Sequence, residues 1–159
     1  MWHKIKIVFG TLLMLWPLML MAEELETHVK SESGNFNYKT GIGTYVGHVV
    51  MTRAPAQLEA DKAITYMDKK RKLLKAVAYG NPAHLWQAAT PGQTEFHAYA
   101  KTIEYYPDQH LIVLIGDGKI IHENNTLQAP YITYNIQEQI MDSKSSKDEK
   151  TTLIIRKTK

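Results

Sequence analysis

The sequence predicts an all-β fold of many short strands, and three observations carry that prediction. Tyr (9) far outnumbers Phe (3), and Val, Ile and Thr are plentiful, a composition that suits pleated, half-buried surfaces better than helices. Beyond Ala22 no window of a dozen residues keeps a clean 3.6 period, whereas apolar–polar alternation recurs. One phrase is also written three times, as "LEADKAITYMD" (58–68), "FHAYAKTIEYYPD" (96–108) and "LQAPYITYNI" (127–136). Ile64-Thr65-Tyr66, Ile103-Glu104-Tyr105 and Ile132-Thr133-Tyr134 share an apolar–x–aromatic core, preceded by Ala60, Ala100 and Ala129. Each copy is followed by a turn and a strand leading away, the pattern of stacked layers that lend their apolar faces to one shared interior.

The elements follow in order. Residues 23–33 are polar and read as frayed. In "NFNYKTGIGTYVGHVVMTR" (35–53) Phe36 and Tyr38 point one way and Asn35, Asn37 and Lys39 the other, with Gly41, Gly43 and Gly47 at turns, bulges or bends. "QLEADKAITYMD" (57–68) is a strand, and "KKRKLLK" (69–75) is a turn between strand ends. "AVAYGNPAHLWQA" (76–88) reads as two short strands around the turn signal Gly80-Asn81-Pro82. "ATPGQ" (89–93) is a Pro-Gly loop. The segment 101–125 is a hairpin turning at Pro107-Asp108, with a second turn or bulge at Gly116-Asp117-Gly118 and a further strand ending at Asn124-Asn125. After the third copy of the phrase, "DSKSSKDEK" (142–150) is a polar turn or linker and "TTLIIRK" (151–157) a last strand.

Residues 1–22 read as a cleaved signal peptide. Lys4 and Lys6 form a basic start, "IVFGTLLMLWPLMLMA" is apolar, and acidic residues follow Ala22. A retained membrane anchor is the competing reading, but Ile5–Ala22 falls short of the ~20 apolar residues of a spanning helix and contains Pro17. Either reading places the domain, 23–156, outside the cytoplasm, with a basic tail at 157–159. Loss of the leader removes two lysines and no acid, so the net charge of +3 drops to +1, too little to point to nucleic acid. With no cysteine in the chain, the fold rests on packing and strand pairing alone.

Catalytic and metal chemistry find no foothold. Cysteine is absent and no serine lies between Gly34 and Asp142, so a nucleophile on a rigid scaffold is not expected. His48, His84, His97, His110 and His122 never adopt H-x-H or H-E-x-x-H spacing, and the acids occur singly. Gly41-Ile42-Gly43 has no helix after it to make a phosphate loop. No catalytic residue, metal site or cofactor is expected. The run at 69–75 admits contact with phosphates or an anionic membrane face. The plainer reading, preferred on sequence, is a solvated hairpin whose lysines discourage edge pairing.

The ordered series "YVGHVVMTRAPAQLEADKAITY", "AVAYGNPAHLWQ", "EFHAYAKTIEY" and "HLIVLIGDGKIIHENNTLQAPYITYNIQEQIM", with its basic finish, resembles the OstA-like family over residues 30–156. The resemblance implies a twisted, partly open β-jellyroll of stacked antiparallel strands. It implies a periplasmic carrier that binds lipopolysaccharide through lipid A and takes it between the inner and outer membranes for outer-membrane assembly. The implied partners are an LptC-like inner-membrane jellyroll protein, an LptD-like outer-membrane barrel complex and further copies of the chain joined head to tail. The alternative within the same pathway is that this chain is itself the anchored LptC-like component; outside it stand a solid structural assembly protein and a periplasmic enzyme.

Such a carrier needs an apolar trough. The candidates are Leu58, Ile64, Tyr66, Leu85, Ile103, Tyr105, Ile132 and Tyr134, on apolar phases of their strands. Core filling explains any one of them equally well, but a jellyroll left partly open has no second layer to fill it. An open stack also leaves one unpaired strand at each end. The segment at Val29 and the C-terminal "TTLIIR", with Leu153 and Ile155, are the candidate edges for a neighbouring jellyroll.

Overall fold

The computed structural model describes residues 26–156; the expected leader and the basic tail lie outside the described residues. One antiparallel sheet of ten strands makes up the domain: β1 (His28–Lys30), β2 (Ser33–Asn37), β3 (Ile42–Arg53), β4 (Ala56–Met67), β5 (Leu73–Gln87), β6 (Phe96–Tyr106), β7 (Leu111–His122), β8 (Asn125–Asn135), β9 (Ile140–Lys144) and β10 (Thr152–Ile154). A 3-10 turn at Pro107–Gln109 is the one helical element among the described residues. The six long strands β3 to β8 pair in chain order and the sheet does not close. Each end carries two short strands instead of the single edge expected: β1 and β2 share the outer side of β3, and β9 and β10 share that of β8.

Every pairing between long strands is interrupted near its middle, and β4–β5 has a further irregularity at its end, at Tyr66/Met67. Register breaks fall at Val46/Val49, Glu59/Lys62, Tyr79/Ala83, Tyr99/Thr102 and Ile115/Gly118, and because these residues pair with one another the bulges form a line across the sheet. Bulges bend strands, and residues from both sides of the line share one hydrophobic core. The sheet is therefore folded along the bulges into two half-sheets that face each other. At β7 the bend requires left-handed backbone, and Gly116 (φ 79°) supplies it beside Asp117 (φ 50°).

Two inward rows follow from the register. In the first half-sheet the row starts at Val29 and runs through Met51, Leu58, Leu85, Ala98 and Ile120 to Leu127 and Leu153. In the second, Tyr45, Ala63, Ala78, Ile103, Leu114 and Ile132 lie opposite one another, with Thr65, Ala76, Tyr105, Ile112 and Tyr134 in the parallel row beside them.

Several expectations are corrected. Residues 28–30 are paired strand, not frayed, held by β3. Strand β2 stops at Asn37, because the Asn37 side-chain oxygen accepts hydrogen bonds from the Lys39 and Thr40 amides and turns the chain; Tyr38 sits on that turn, 75% exposed. Gly80-Asn81-Pro82 does not separate two strands but forms the bulge within the 15-residue β5. The linker at 142–150 begins as strand, since β9 extends to Lys144.

The most consequential correction concerns Ile64 and Tyr66. In β6 and β8 the inward set steps by three across the bulge, from Ala100 to Ile103 and from Ala129 to Ile132. In β4 the same step leads from Ala60 to Ala63 and then Thr65. Ile64 therefore lies on the outer face, in register with Val77, and Tyr66 pairs with Lys75 there. The first copy of the repeated phrase is one residue out of phase.

The outer face of the second half-sheet is tied by a polar triad. Lys75 Nζ donates to Glu104 at 3.0 Å and the Tyr106 hydroxyl donates to the same carboxylate at 2.7 Å. Burial works to raise the Glu104 carboxyl, but these two hydrogen bonds outweigh it and hold the group below its ordinary value.

Two stability outcomes are expected in urea unfolding. Ile132→Ala, at a fully buried position, should cost about 2–5 kcal/mol, whereas Ile64→Ala should cost about 1 kcal/mol. Because the folded Glu104 pKa is depressed, its contribution is present above about pH 4.3 and is lost as pH falls through the lower folded value. The deficit of Glu104→Gln relative to wild type should accordingly be seen at pH 7 and shrink away in acid.

Candidate functional site

The two half-sheets end in two sets of turns, and the interior opens to solvent between them. A cavity of about 810 Å³ lies at this mouth, within the ~300–1,000 Å³ usual for ligand sites. Its wall on the first half-sheet includes Met51, Leu58, Leu85 and Phe96; its wall on the second includes Ala76, Ile103, Tyr105 and Ile112. The small side chains come from the folding pattern. Where β6 and β8 place Tyr105 and Tyr134 in the rung, β4 and β5 place Thr65 and Ala76, next to Gly43. The interior is open where the wall residues line the mouth and filled deeper in, where Ala63, Leu114, Ile132 and Tyr134 stay off the lining.

At the full end, Phe96 meets Tyr134 edge to face with ring centroids 5.2 Å apart, and Ile112, Leu114 and Ile132 are completely buried. Gln139 Nε2 donates to the Gly92 carbonyl at 3.3 Å, so the turn after β8 reaches the Pro-Gly loop across the mouth. The interior is thus not a trough open along its whole length: it is a cavity at one end and a packed core at the other.

Of the eight candidate lining residues, the structure brings Leu58, Leu85, Ile103 and Tyr105 to the cavity, places Ile132 and Tyr134 in the packed core, and turns Ile64 and Tyr66 outward. Met51, Phe96 and Ile112 belong to the cavity and were missed. Phe96 had a signal, since it stands two and four residues before Ala98 and Ala100 on one strand phase; the doubly apolar runs holding Met51 and Ile112 gave none. Burial pushes the Tyr105 phenol up, with the charge of nearby Arg53 opposing, so Tyr105 is an uncharged wall with a polar tip at the mouth.

The cavity's polar groups stand at its lips. Arg53 closes the β3–β4 turn on one side, and Lys70, Arg71 and Lys72 form the β4–β5 turn on the other. Among the described residues no group of three or more His, Cys, Asp or Glu is placed to share a metal ion. The candidate edge residues sit where the first inward row runs out. Val29 is half-buried on β1, Leu153 is 59% exposed on β10, and Ile155, 73% exposed, lies one residue beyond β10.

Comparison with known proteins agrees with this architecture. LptH from Pseudomonas aeruginosa, named a lipopolysaccharide export system protein, is 29% identical over 145 residues, covering 89% of this chain and 83% of its own. The export system protein LptA of Escherichia coli is 22% identical over 129 residues, covering 80% of this chain and 69% of its own. The crystal structure of LptH, described as the LptA-homologous periplasmic component of the lipopolysaccharide transport device of Pseudomonas aeruginosa, superposes with a TM-score of 0.77 at 27% identity, over 84% of this chain and 97% of that one. The family described as LptA/(LptD N-terminal domain) LPS transport protein matches residues 28–140, most of the chain, and the chain belongs to that family.

Proposed function

We propose that the chain is a non-catalytic periplasmic carrier that binds lipopolysaccharide by its acyl chains and passes it from copy to copy between the two membranes. The observation that carries this reading is the apolar cavity whose first wall is a row of side chains continuing to both open ends of the sheet. An acyl chain of about 12 carbons costs roughly 10 kcal/mol to expose to water, at ~0.8 kcal/mol per methylene. A lipid with several such chains needs continuous cover. One copy offers a row from Val29 to Leu153, and a second copy docked edge to edge extends it.

The edges suit that docking. Strands β1 and β2 at one end, and β9 and β10 at the other, are each paired on one side only. Addition of strand to strand is β-augmentation, and because the two ends differ the contact is heterologous and propagates. The same ends serve, in this reading, for an LptC-like partner on the inner-membrane side and an LptD-like partner on the outer-membrane side. The periplasmic location rests on the family and on the leader read from the sequence.

Photo-reactive residues placed at the cavity test the lipid. Leu85 and Tyr105 should give lipopolysaccharide adducts on illumination, while Ile64 and Tyr66, on the opposite face, should give none; adducts equal at all four, or absent from the first two, overturn the reading. The assembly is tested by Leu153→Asp, which puts a charge on the exposed edge. Melting should change little, as expected for an exposed site (about 0.5 kcal/mol or less), while sedimentation at high concentration should shift from oligomers to monomer.

A further inference from the structure

The basic turn between β4 and β5 has no edge to guard. Both strands are central, each paired on both sides, so the edge-protection reading of residues 69–75 does not apply to the fold. The turn is instead a fixed scaffold. Asp68 Oδ1 accepts hydrogen bonds from the Lys70 and Lys72 amides at 2.8 and 2.9 Å. The Asp68 amide donates to the Lys72 carbonyl, and the Arg71 amide to the Asp68 carbonyl, both at 3.0 Å. Arg71 is held at φ 64° with its guanidinium 5.2 Å from the Tyr38 ring centroid.

This scaffold presents its charges to the cavity. Lys70, Arg71 and Lys72 line one lip and Arg53 the other, and Asp108 is the single carboxylate on the lining. Asp108 is taken by Lys72 at 2.7 Å. Among the described residues no carboxylate lies within ion-pair distance of Arg53, Lys70 or Arg71. Over residues 26–156 the basic side chains exceed the acidic ones by one, yet the lips alone carry an excess of three. Uncompensated cations gathered at the rim of an apolar cavity are complementary to an amphiphile whose head is anionic.

We propose that Arg53, Lys70 and Arg71, with Lys72, clamp the phosphate headgroup of an acylated lipid at the mouth while its chains enter between Leu58, Leu85 and Tyr105. This assignment rests on the carrier reading above and adds the headgroup chemistry and the orientation of the lipid. A phosphate dianion is too costly to bury unpaired, so it stays at the lip. There Arg offers a planar fork to two oxygens and Lys a mobile point charge.

The test compares the mature chain with the Arg53→Gln/Lys70→Gln/Arg71→Asn variant, Asn being chosen because it tolerates positive φ. The probes are hexa-acylated lipid A bearing two phosphates, its fully dephosphorylated form, inorganic phosphate and phosphatidylglycerol vesicles. The variant should lose ~10-fold or more in affinity for the bisphosphorylated lipid at about 0.15 M salt while binding the dephosphorylated lipid as well as wild type does. Retained binding of that uncharged lipid also certifies that the variant is folded. Equal wild-type affinity for the two lipids, or equal losses for both in the variant, overturns the clamp and leaves the carrier intact. Displacement of the lipid by inorganic phosphate at matching concentration makes the lips a general anion site and overturns the headgroup assignment. So does loss of vesicle adsorption with lipid A capture unchanged, which makes the turn a membrane contact. If wild type captures neither lipid, the carrier reading fails, and the clamp with it.

Discussion

A ten-stranded sheet with an apolar face must cover that face, and among the described residues the only cover is the sheet itself. The line of bulges makes that possible. Each bulge inserts a residue, bends its strand and resets the pleat, so side chains on both sides of the bend point into one interior. The step from Ala60 to Ala63, from Ala100 to Ile103 and from Ala129 to Ile132 is the signature of that reset. Without it, the residues beyond the bend would turn to solvent, because a one-residue slip exchanges the two faces of a strand. Core, cavity and outer polar triad all depend on where these bulges fall.

A core made this way differs from one sealed between two independent layers. The half-sheets are joined along the bulges and free along their turns, so they can part at the mouth without breaking a ladder of backbone hydrogen bonds. The contacts given up, such as Phe96 on Tyr134, are apolar, and acyl methylenes replace them in kind. Few polar groups lose a partner on parting; among the described residues the Gln139 to Gly92 hydrogen bond spans the turns, and its exposed groups find water instead. Packing at the full end is therefore compatible with the proposed uptake of acyl chains by the same interior.

Much of this was legible in the residues. Composition and alternation identified an all-β chain, and the repeated phrase identified stacked rungs. The phase was also written there. The alanine stands three residues before Ile103 and Ile132 but four before Ile64, and that extra residue marks the first copy as displaced, with Ala63 and Thr65 taking the inward places. Reading by residue type favoured Ile64 and Tyr66, since a large apolar side chain looks more like lining than alanine or threonine does. Of the small residues in these rungs it is Ala76, paired with Thr65, that reaches the cavity lining, and a small inward residue leaves no apolar signal in the sequence. The charges at the mouth were hidden for another reason: Arg53 and Lys70 lie on separate turns, and only the fold along the bulges sets them on facing lips.

The placement of polarity answers how an open-ended sheet avoids indiscriminate pairing. Long unpaired edges invite aggregation, and here each end is broken into two short strands of three and five residues. Short strands offer few hydrogen bonds to a wrong partner. In the proposed head-to-tail assembly a second copy would meet both pieces at once, together with the exposed end of an apolar row at Leu153 and its continuation at Val29. Specificity then comes from simultaneous match of two strand segments and one apolar row, which an arbitrary strand lacks. The mouth follows the same logic at right angles: an apolar opening that would attract any greasy surface is flanked by Arg53 on one lip and Lys70 and Arg71 on the other, so an occupant lacking a compensating anion leaves those charges unmatched, and one that carries it is favoured in a single orientation.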